Sequence, residues 1–482
     1  MKKELNLALA TLGLFCFGKT EAQQKPNVIF ILADDLGYND LSYYRGLFPQ
    51  NIDQPSTAKT PNIDKLAKSG MTFTSFYCGS AVSSPSRASL LTGRNCTRVG
   101  IYNHLDDTTI VHLRDKEVTI AEMLKQKNYQ TGHFGKWHLS KSNSTQPTPN
   151  QQGFDYVFHT FNNAIPSHKD PTSFLRNGVP VGNLKGYSCQ LVMDEAIGWI
   201  QKVKTNKDPF YMNVWFNEPH EKCEAPDSLK DRHAYKKEYY GAIENLDIAV
   251  GRLMDYLKVN NLEKNTIIMF SSDNGSEQRN SNKPLRGEKC FNYDGGVRVP
   301  FIISWPGQVP VGKTSDFPGS FTDVLPTIAK FTSTALPKNR KLDGEDISKV
   351  FIGKTPENYK RKTPIFFFRY MQDPILMLRE GDWLLLGYDE LLPDMDRYNA
   401  IKLAKLKPEP GRPPFSMWGY CPKHEAFRKK IEPKIFELYN IKNDIAERYD
   451  VSKQHPDLIK KMKAKMLNLK DEMMKEGGDW YK

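Results

Sequence analysis

No apolar run in the sequence approaches the roughly 18–20 residues that a membrane-spanning helix needs, so stable membrane insertion is not expected. Cysteine is scarce. Seven in 482 residues cannot build a disulfide scaffold, and none are spaced as zinc ligands are. Internal repeats and low-complexity tracts are also missing, which excludes solenoids and disordered linkers. No helix-turn-helix, zinc-finger or aromatic RNA-binding pattern accompanies the formal charge of +12, so no nucleic-acid partner is expected.

What is present is ordinary globular material, 39% hydrophobic and 26% charged, long enough for one large domain and a smaller one. A basic balance of this size concentrates anionic ligands, and nucleic acid, an anionic membrane or a sulfated polysaccharide would each satisfy it. Many of the basic residues fall in Lys-rich helical stretches near the C-terminus, where a solvated face accounts for them.

Lys2 and Lys3 precede an apolar stretch from Leu5 to Phe17 and a polar segment ending Thr20-Glu21-Ala22. This order reads as a secretory signal peptide over residues 1–22, which predicts export to a periplasmic or extracellular place. Cys16 raises a lipoprotein anchor as the lesser alternative, since Phe15 is bulky where a small residue should precede a lipidated cysteine. The remaining cysteines are Cys78, Cys96, Cys189, Cys223, Cys290 and Cys421, whose pairing the sequence does not assign. Asn95-Cys96-Thr97 matches a glycosylation acceptor, a pattern too short to carry weight.

Asn27 to Ala33 is an apolar run of strand length that ends on Asp34-Asp35. Such a run suits a central strand buried on both faces, and open α/β sheets place their chemistry at the carboxyl ends of strands. The same grammar recurs at Pro209 to Phe216, leading into Asn217-Glu218-Pro219-His220, and at Thr266 to Phe270, leading into Ser271-Ser272-Asp273-Asn274-Gly275. Helical patterns at Val118 to Lys127 and Tyr235 to Leu257 alternate with them. The expected fold class is therefore α/β, a large, mostly parallel sheet with helices on both faces. Short strands at Ile365 to Arg369, Ile375 to Arg379 and Trp383 to Leu386, then a helix at Met462 to Met474, predict a smaller α+β domain. The expected division is 23–340 and 341–482.

Adjacent carboxylates such as Asp34 and Asp35 repel one another in a partly desolvated site unless a cation or a shared proton intervenes. Asp273-Asn274 adds two oxygen donors, and four hard oxygens suit calcium or magnesium, not zinc.

Ser83-Ser84-Pro85-Ser86-Arg87 and its continuation through Ala88-Ser89-Leu90-Leu91-Thr92-Gly93-Arg94 resemble the signature of the formylglycine-dependent type I sulfatases of the alkaline phosphatase superfamily. In that signature a cysteine or serine two residues before the proline is oxidised to formylglycine. Further resemblances follow in the family's order: Gly135-Lys136-Trp137-His138-Leu139, Asn217-Glu218-Pro219-His220, Ser272-Asp273-Asn274-Gly275, Pro284 to Lys289 and Asp294 to Pro300. Glu437 to Glu447 resembles its usual ending.

The resemblance implies Asp34, Asp35, Asp273 and Asn274 as ligands of one Ca²⁺, and Ser83 as the modified nucleophile. It implies that Arg87 and Lys136 steady the diol and the sulfate, that His138 is the base for elimination, and that His220 and Lys289 serve the leaving oxygen. The chemistry explains the modification. A serine hydroxyl is a weak nucleophile whose sulfate ester would be stable, whereas an aldehyde hydrate offers one hydroxyl to attack and another to expel sulfate. Serine at position 83 implies a radical-type sulfatase-maturating enzyme as partner. Ser140 and Glu288 depart from the family's usual glycines, and Glu288, beside Lys289, is expected to tune substrate choice.

The expected function is a sulfatase acting on a sugar of a sulfated polysaccharide or oligosaccharide. The alternatives are a formylglycine-dependent phosphodiester or phosphonate monoester hydrolase and a non-catalytic glycan-binding protein. Candidate specificity residues, drawn from segments that connect or follow the shared blocks, are Asn103, His104, His112, Arg114, His168 and Arg176. The sequence does not distinguish the sugar or the sulfated carbon.

Overall fold

The computed structural model describes residues 24–49, 55–107, 109–141, 145–205, 208–278, 280–356, 359–389 and 422–481. The signal-peptide and anchor readings, on residues 1–22, and Cys421 lie outside the described residues.

In chain order the first strands are β1 (Asn27–Ala33), β2 (Met71–Tyr77), β3 (Gln130–Lys136), β4 (Tyr156–Thr160), β5 (Leu175–Arg176) and β6 (Val179–Pro180). They are followed by β7 (Phe210–Trp215), β8 (Thr266–Ser272), β9 (Arg298–Ser304), β10 (Lys313–Ser315) and β11 (Gly319–Ser320). Together they form one 11-stranded sheet in the order β10-β2-β9-β8-β1-β7-β3-β4-β5-β6, with β11 beside β2. Its centre is parallel: β1 pairs in parallel with both β7 and β8, and β3 pairs in parallel with β7 and β4.

Every residue of β1 is buried, and the strand's alternation divides it between two cores. Val28, Phe30 and Leu32 face one core, with Ala88, Leu90 and Leu91 of the helix Ser83–Thr92. Ile29, Ile31 and Ala33 face the other, with the helices Ser188–Val203 and Lys237–Val259. A run apolar at both parities is what a sheet covered on both faces requires.

The second sheet is antiparallel, β12 (Ile365–Phe368), β13 (Leu376–Glu380), β14 (Trp383–Tyr388) and β15 (Ile435–Asn440), paired in that order. The closing helix runs Pro456–Gly477, longer than its apolar core suggests, because Pro456 starts it at a position where a missing N–H is harmless. Its last turn docks beside the helix Cys96–Val99, where Glu476 accepts from Arg98 at 2.7 Å and also pairs with Arg94.

Asn95 is 6% exposed, and its amide donates to the Phe366 carbonyl at 2.7 Å, so it is a structural side chain and not an exposed acceptor for a glycan. Cys78, Cys96, Cys189, Cys223 and Cys290 are free thiols. Among the described residues, no helix is long and apolar enough to cross a membrane.

Candidate active site

Strands β8, β1, β7 and β3 lie side by side and end at one edge of the sheet. Ala33 stands opposite Ser272, Leu32 opposite Trp215, and Trp215 opposite Gly135. The segments that follow, Asp34-Asp35, Asp273-Asn274, Asn217 to His220 and Lys136 to His138, therefore emerge together. Backbone bonds seal the edge: Asp34 N donates to Glu218 O at 2.9 Å and Asp273 N to Ala33 O at 3.0 Å. Gly135 has φ +103°, and a Cβ there would lie 1.8 Å from the Trp215 carbonyl oxygen. Only glycine lets β3 close on β7 at that point.

Ser83 heads the helix Ser83–Thr92, with Pro85 in the first turn, where its lack of an N–H costs nothing, and Gly93 ending it at φ 66°. The Ser83 hydroxyl is 3.2 Å from Asp34 Oδ1 and 3.5 Å from Asn274 Oδ1. Arg87, one helical turn on, shares that face. It donates through Nε and Nη2 to Asp273 Oδ2 at 3.1 and 2.8 Å and through Nη1 to the Lys136 carbonyl at 2.9 Å.

Lys136 Nζ donates to Asp34 Oδ2 at 2.7 Å and to Asn163 Oδ1 at 2.8 Å. Burial lowers its pKa against the opposing pull of Asp34. Burial raises Asp34's in turn, but Lys136, His220 and Arg87 outweigh it and hold the carboxyl well below its usual range. Lys289 Nζ pairs with Asp35 Oδ2, which more than offsets burial and raises the lysine.

The His220 Nδ1 has the Glu221 carbonyl at 2.7 Å and the Asn163 amide at 3.1 Å. The shorter contact, to an acceptor, places the proton on Nδ1 and leaves Nε2 facing Asp35 Oδ2 at 3.5 Å. Burial, then the charge on Lys289, lowers His220 to about 4. His138 adopts φ 57° and is buried; desolvation and then Lys136 hold it well below its ordinary value, as the neutral ring.

Asp34, Asp35 and Asp273 each offer an oxygen within 4.8 Å of the others, and all three are buried. Burial, and then the Asp34 charge, push Asp273 up to about 7 against the opposing pull of Arg87. With Asn274 the donors are all hard oxygens, a set that fits calcium. The side-chain cations Arg87, Lys136 and Lys289 only balance the three carboxylates. A divalent ion would leave the cluster two charges positive, which suits an anionic ester.

The candidate specificity residues separate. His104 lies at the margin of the cluster, because the N–H of the next residue, Leu105, donates to Ser84 Oγ at 3.0 Å. Burial, then Arg369 and Lys289, lowers His104 to about 3. Asn103 is buried beside it in sequence. His168 is buried 4.0 Å from Glu218 Oε1.

The other three stand outside the cluster. His112 packs edge-on against Trp480, with ring centroids 4.9 Å apart, and Arg114 donates to Gly477 O at 2.6 Å while covering the same indole. Both hold down the C-terminal segment. Arg176, exposed on β5, pairs with Glu195 at 2.7 Å. The sequence does not single out Asn163, whose signal is only its place just beyond β4.

The family model described as Sulfatase matches residues 26–334. Arylsulfatase G of Mus musculus is 32% identical over 399 residues, covering 71% of this chain and 72% of its own. N-acetylgalactosamine-6-sulfatase of Canis lupus familiaris is 30% identical over 394 residues, covering 76% and 72%. The crystal structure of Ps i-CgsB in complex with k-i-k-neocarrahexaose superposes with a TM-score of 0.75 at 29% identity, covering 93% of each chain. The edge-of-sheet cluster is thus found in a chain whose family match spans every strand of the large sheet, and the protein belongs to the sulfatase family, hydrolases of sulfate esters.

Proposed function

We propose that the enzyme removes sulfate from a sugar of a sulfated polysaccharide or oligosaccharide, with formylglycine made from Ser83 as nucleophile and Ca²⁺ held by Asp34, Asp35, Asp273 and Asn274. The observation that carries this reading is the Ser83 hydroxyl, 3.2 Å from Asp34 at a helix N-terminus and flanked by Arg87 and Lys136. A helix N-terminus with two cations beside it is a natural seat for sulfate.

When bound, calcium would act as a Lewis acid on the nucleophile and the sulfate oxygens. The oxidised residue would supply a hydrated aldehyde in place of an unreactive alcohol. The chain's own residues do the rest. Arg87, fixed on Asp273, and Lys136, fixed on Asp34 and Asn163, orient the sulfate and meet the charge that grows on its oxygens. His138 accepts a proton at Nδ1. His220 and Lys289, gathered at Asp35, serve the leaving oxygen, with His220 the proton donor once an anionic ester is bound beside it.

The relatives named for N-acetylgalactosamine 6-sulfate and the neighbour solved with a carrageenan oligosaccharide support a sugar substrate. Asn103 and His104 are the specificity candidates that this geometry favours, and His168, beside Glu218, is a further one. Export through residues 1–22, the division into 23–340 and 341–482, and maturation by a radical-type enzyme complete the proposal.

The test is co-expression with such a maturase, followed by mass spectrometry of the peptide bearing Ser83, which should lose two hydrogens. Parallel assays on aryl sulfate and aryl phosphate esters should favour the sulfate, and Ser83→Ala should abolish turnover with the fold intact. Full activity with unmodified Ser83 would refute the mechanism.

A further inference from the structure

Four arginines, Arg87, Arg98, Arg369 and Arg428, are less than 2% exposed. Three have acids: Arg87 has Asp273, Arg98 has Asp343, and Arg428 has Asp479. Arg369 has none. Its Nε, Nη1 and Nη2 have no hydrogen-bond partner among the described residues. A buried guanidinium with its whole fork unmet is costly, and native interiors rarely keep one without a use.

Its position suggests the use. Arg369 follows β12 directly, and its N–H donates to the Ile375 carbonyl at 2.9 Å. Its charge bears on His104 and on Cys290, and also on His424 of the helix Pro422–Lys430. The first lies next to Leu105, which is bonded to Ser84 and His138. The second follows Lys289, and its N–H donates to Ala81 O at 2.9 Å, two residues before Ser83. The Ile375 carbonyl that holds Arg369 also accepts from Asn292 Nδ2 at 3.3 Å, so the smaller sheet brings Arg369 to the segment that follows Lys289 and Cys290. Burial keeps His104 and Cys290 uncharged at neutral pH, so neither balances it.

We propose that Arg369 is a specificity-determining residue that takes a second anionic group of the substrate, a carboxylate or a further sulfate carried near the ester being cleaved. This rests on the sulfatase reading above. The planar fork matches either oxyanion through two parallel bonds, and the buried setting strengthens them. Arg87 and Lys136, proposed above to orient the scissile sulfate, are equally buried.

The test uses matured full-length enzyme hydrolysing 4-nitrophenyl sulfate, with three sugars as competitive inhibitors: N-acetylgalactosamine 6-sulfate, its 4,6-disulfate, and the unsaturated uronate disaccharide of the 6-sulfate. In wild type, at least one doubly anionic sugar should bind about 10- to 100-fold more tightly than the monosulfate, and which one does so identifies the anion. Arg369→Met should erase that preference, and Arg369→Lys should keep part of it.

The melting temperature of Arg369→Met without ligand should not fall, since the variant removes an unpaired buried charge. Equal inhibition by all three sugars in wild type, or a preference that survives in Arg369→Met, overturns the assignment. If matured wild type hydrolyses neither the aryl sulfate nor any of the sugar sulfates, the sulfatase reading is what fails. The same sugars, read by thermal upshift of the unmatured protein, then decide the role of Arg369 separately.

Discussion

The Nε2 of His138 lies 2.8 Å from the Leu105 carbonyl oxygen, and that contact fixes which ring nitrogen is basic. A carbonyl only accepts, so Nε2 carries the hydrogen and Nδ1 presents its lone pair. Nδ1 is buried with no partner among the described residues. Leu105 is itself tied to Ser84, so His138, the proposed base, and the helix that Ser83 heads share one support.

This arrangement separates the two histidines kinetically. His138→Ala should lower steady-state turnover by about a hundredfold or more while sparing a first burst of alcohol release. His220→Ala should harm sugar sulfates far more than 4-nitrophenyl sulfate, whose leaving group needs no proton. Stopped-flow traces and a leaving-group series check both, and equal losses in both assays would count against the assignment.

Removal of calcium should abolish activity and lower the melting temperature, because an ion bound only by the folded state stabilises it by mass action. Asp273→Asn should weaken calcium-dependent stabilisation and also loosen Arg87, which bonds the same carboxylate. Calorimetry across a calcium titration distinguishes this from magnesium dependence.

Gly135→Ala should destabilise the fold by about 3 kcal/mol or more, since its Cβ would meet the Trp215 carbonyl at 1.8 Å in a left-handed backbone. Lys136 follows directly, so residual folded protein should also lose activity. Urea denaturation with a parallel assay reads both effects.

Arg98 and Glu472 form one ion pair at 2.8 Å but should behave unequally on truncation. Arg98 is buried and also bonds Asp343, so Arg98→Ala should cost about 3–5 kcal/mol. The Glu472 side chain is 45% exposed, so Glu472→Ala should cost about 0–1 kcal/mol. Urea midpoints of the two variants check the contrast.

The parallel core was legible because β1 and β8 are apolar runs ending on acids, and strand ends in such sheets converge. Asp34, Asp35 and Asp273 follow from that rule together with register. His112 and Arg114 could not be placed, because what they touch is Trp480 and Gly477, more than 350 residues away, and no local pattern encodes that closure. Arg176 comes from a segment that connects the shared blocks, yet its short hairpin turns it toward Glu195. The distinctive property of Arg369 is the lack of a partner, which a linear sequence cannot display.

The five described thiols have a consequence for where the enzyme can be made. Cys78 and Cys96 are buried, and burial pushes Cys96 up to about 12, so both persist as inert thiols. The described fold closes without a covalent cross-link, so it asks for no oxidant to reach its native shape. An enzyme stapled by disulfides would need a source of oxidising equivalents that the described part of this chain does not call on.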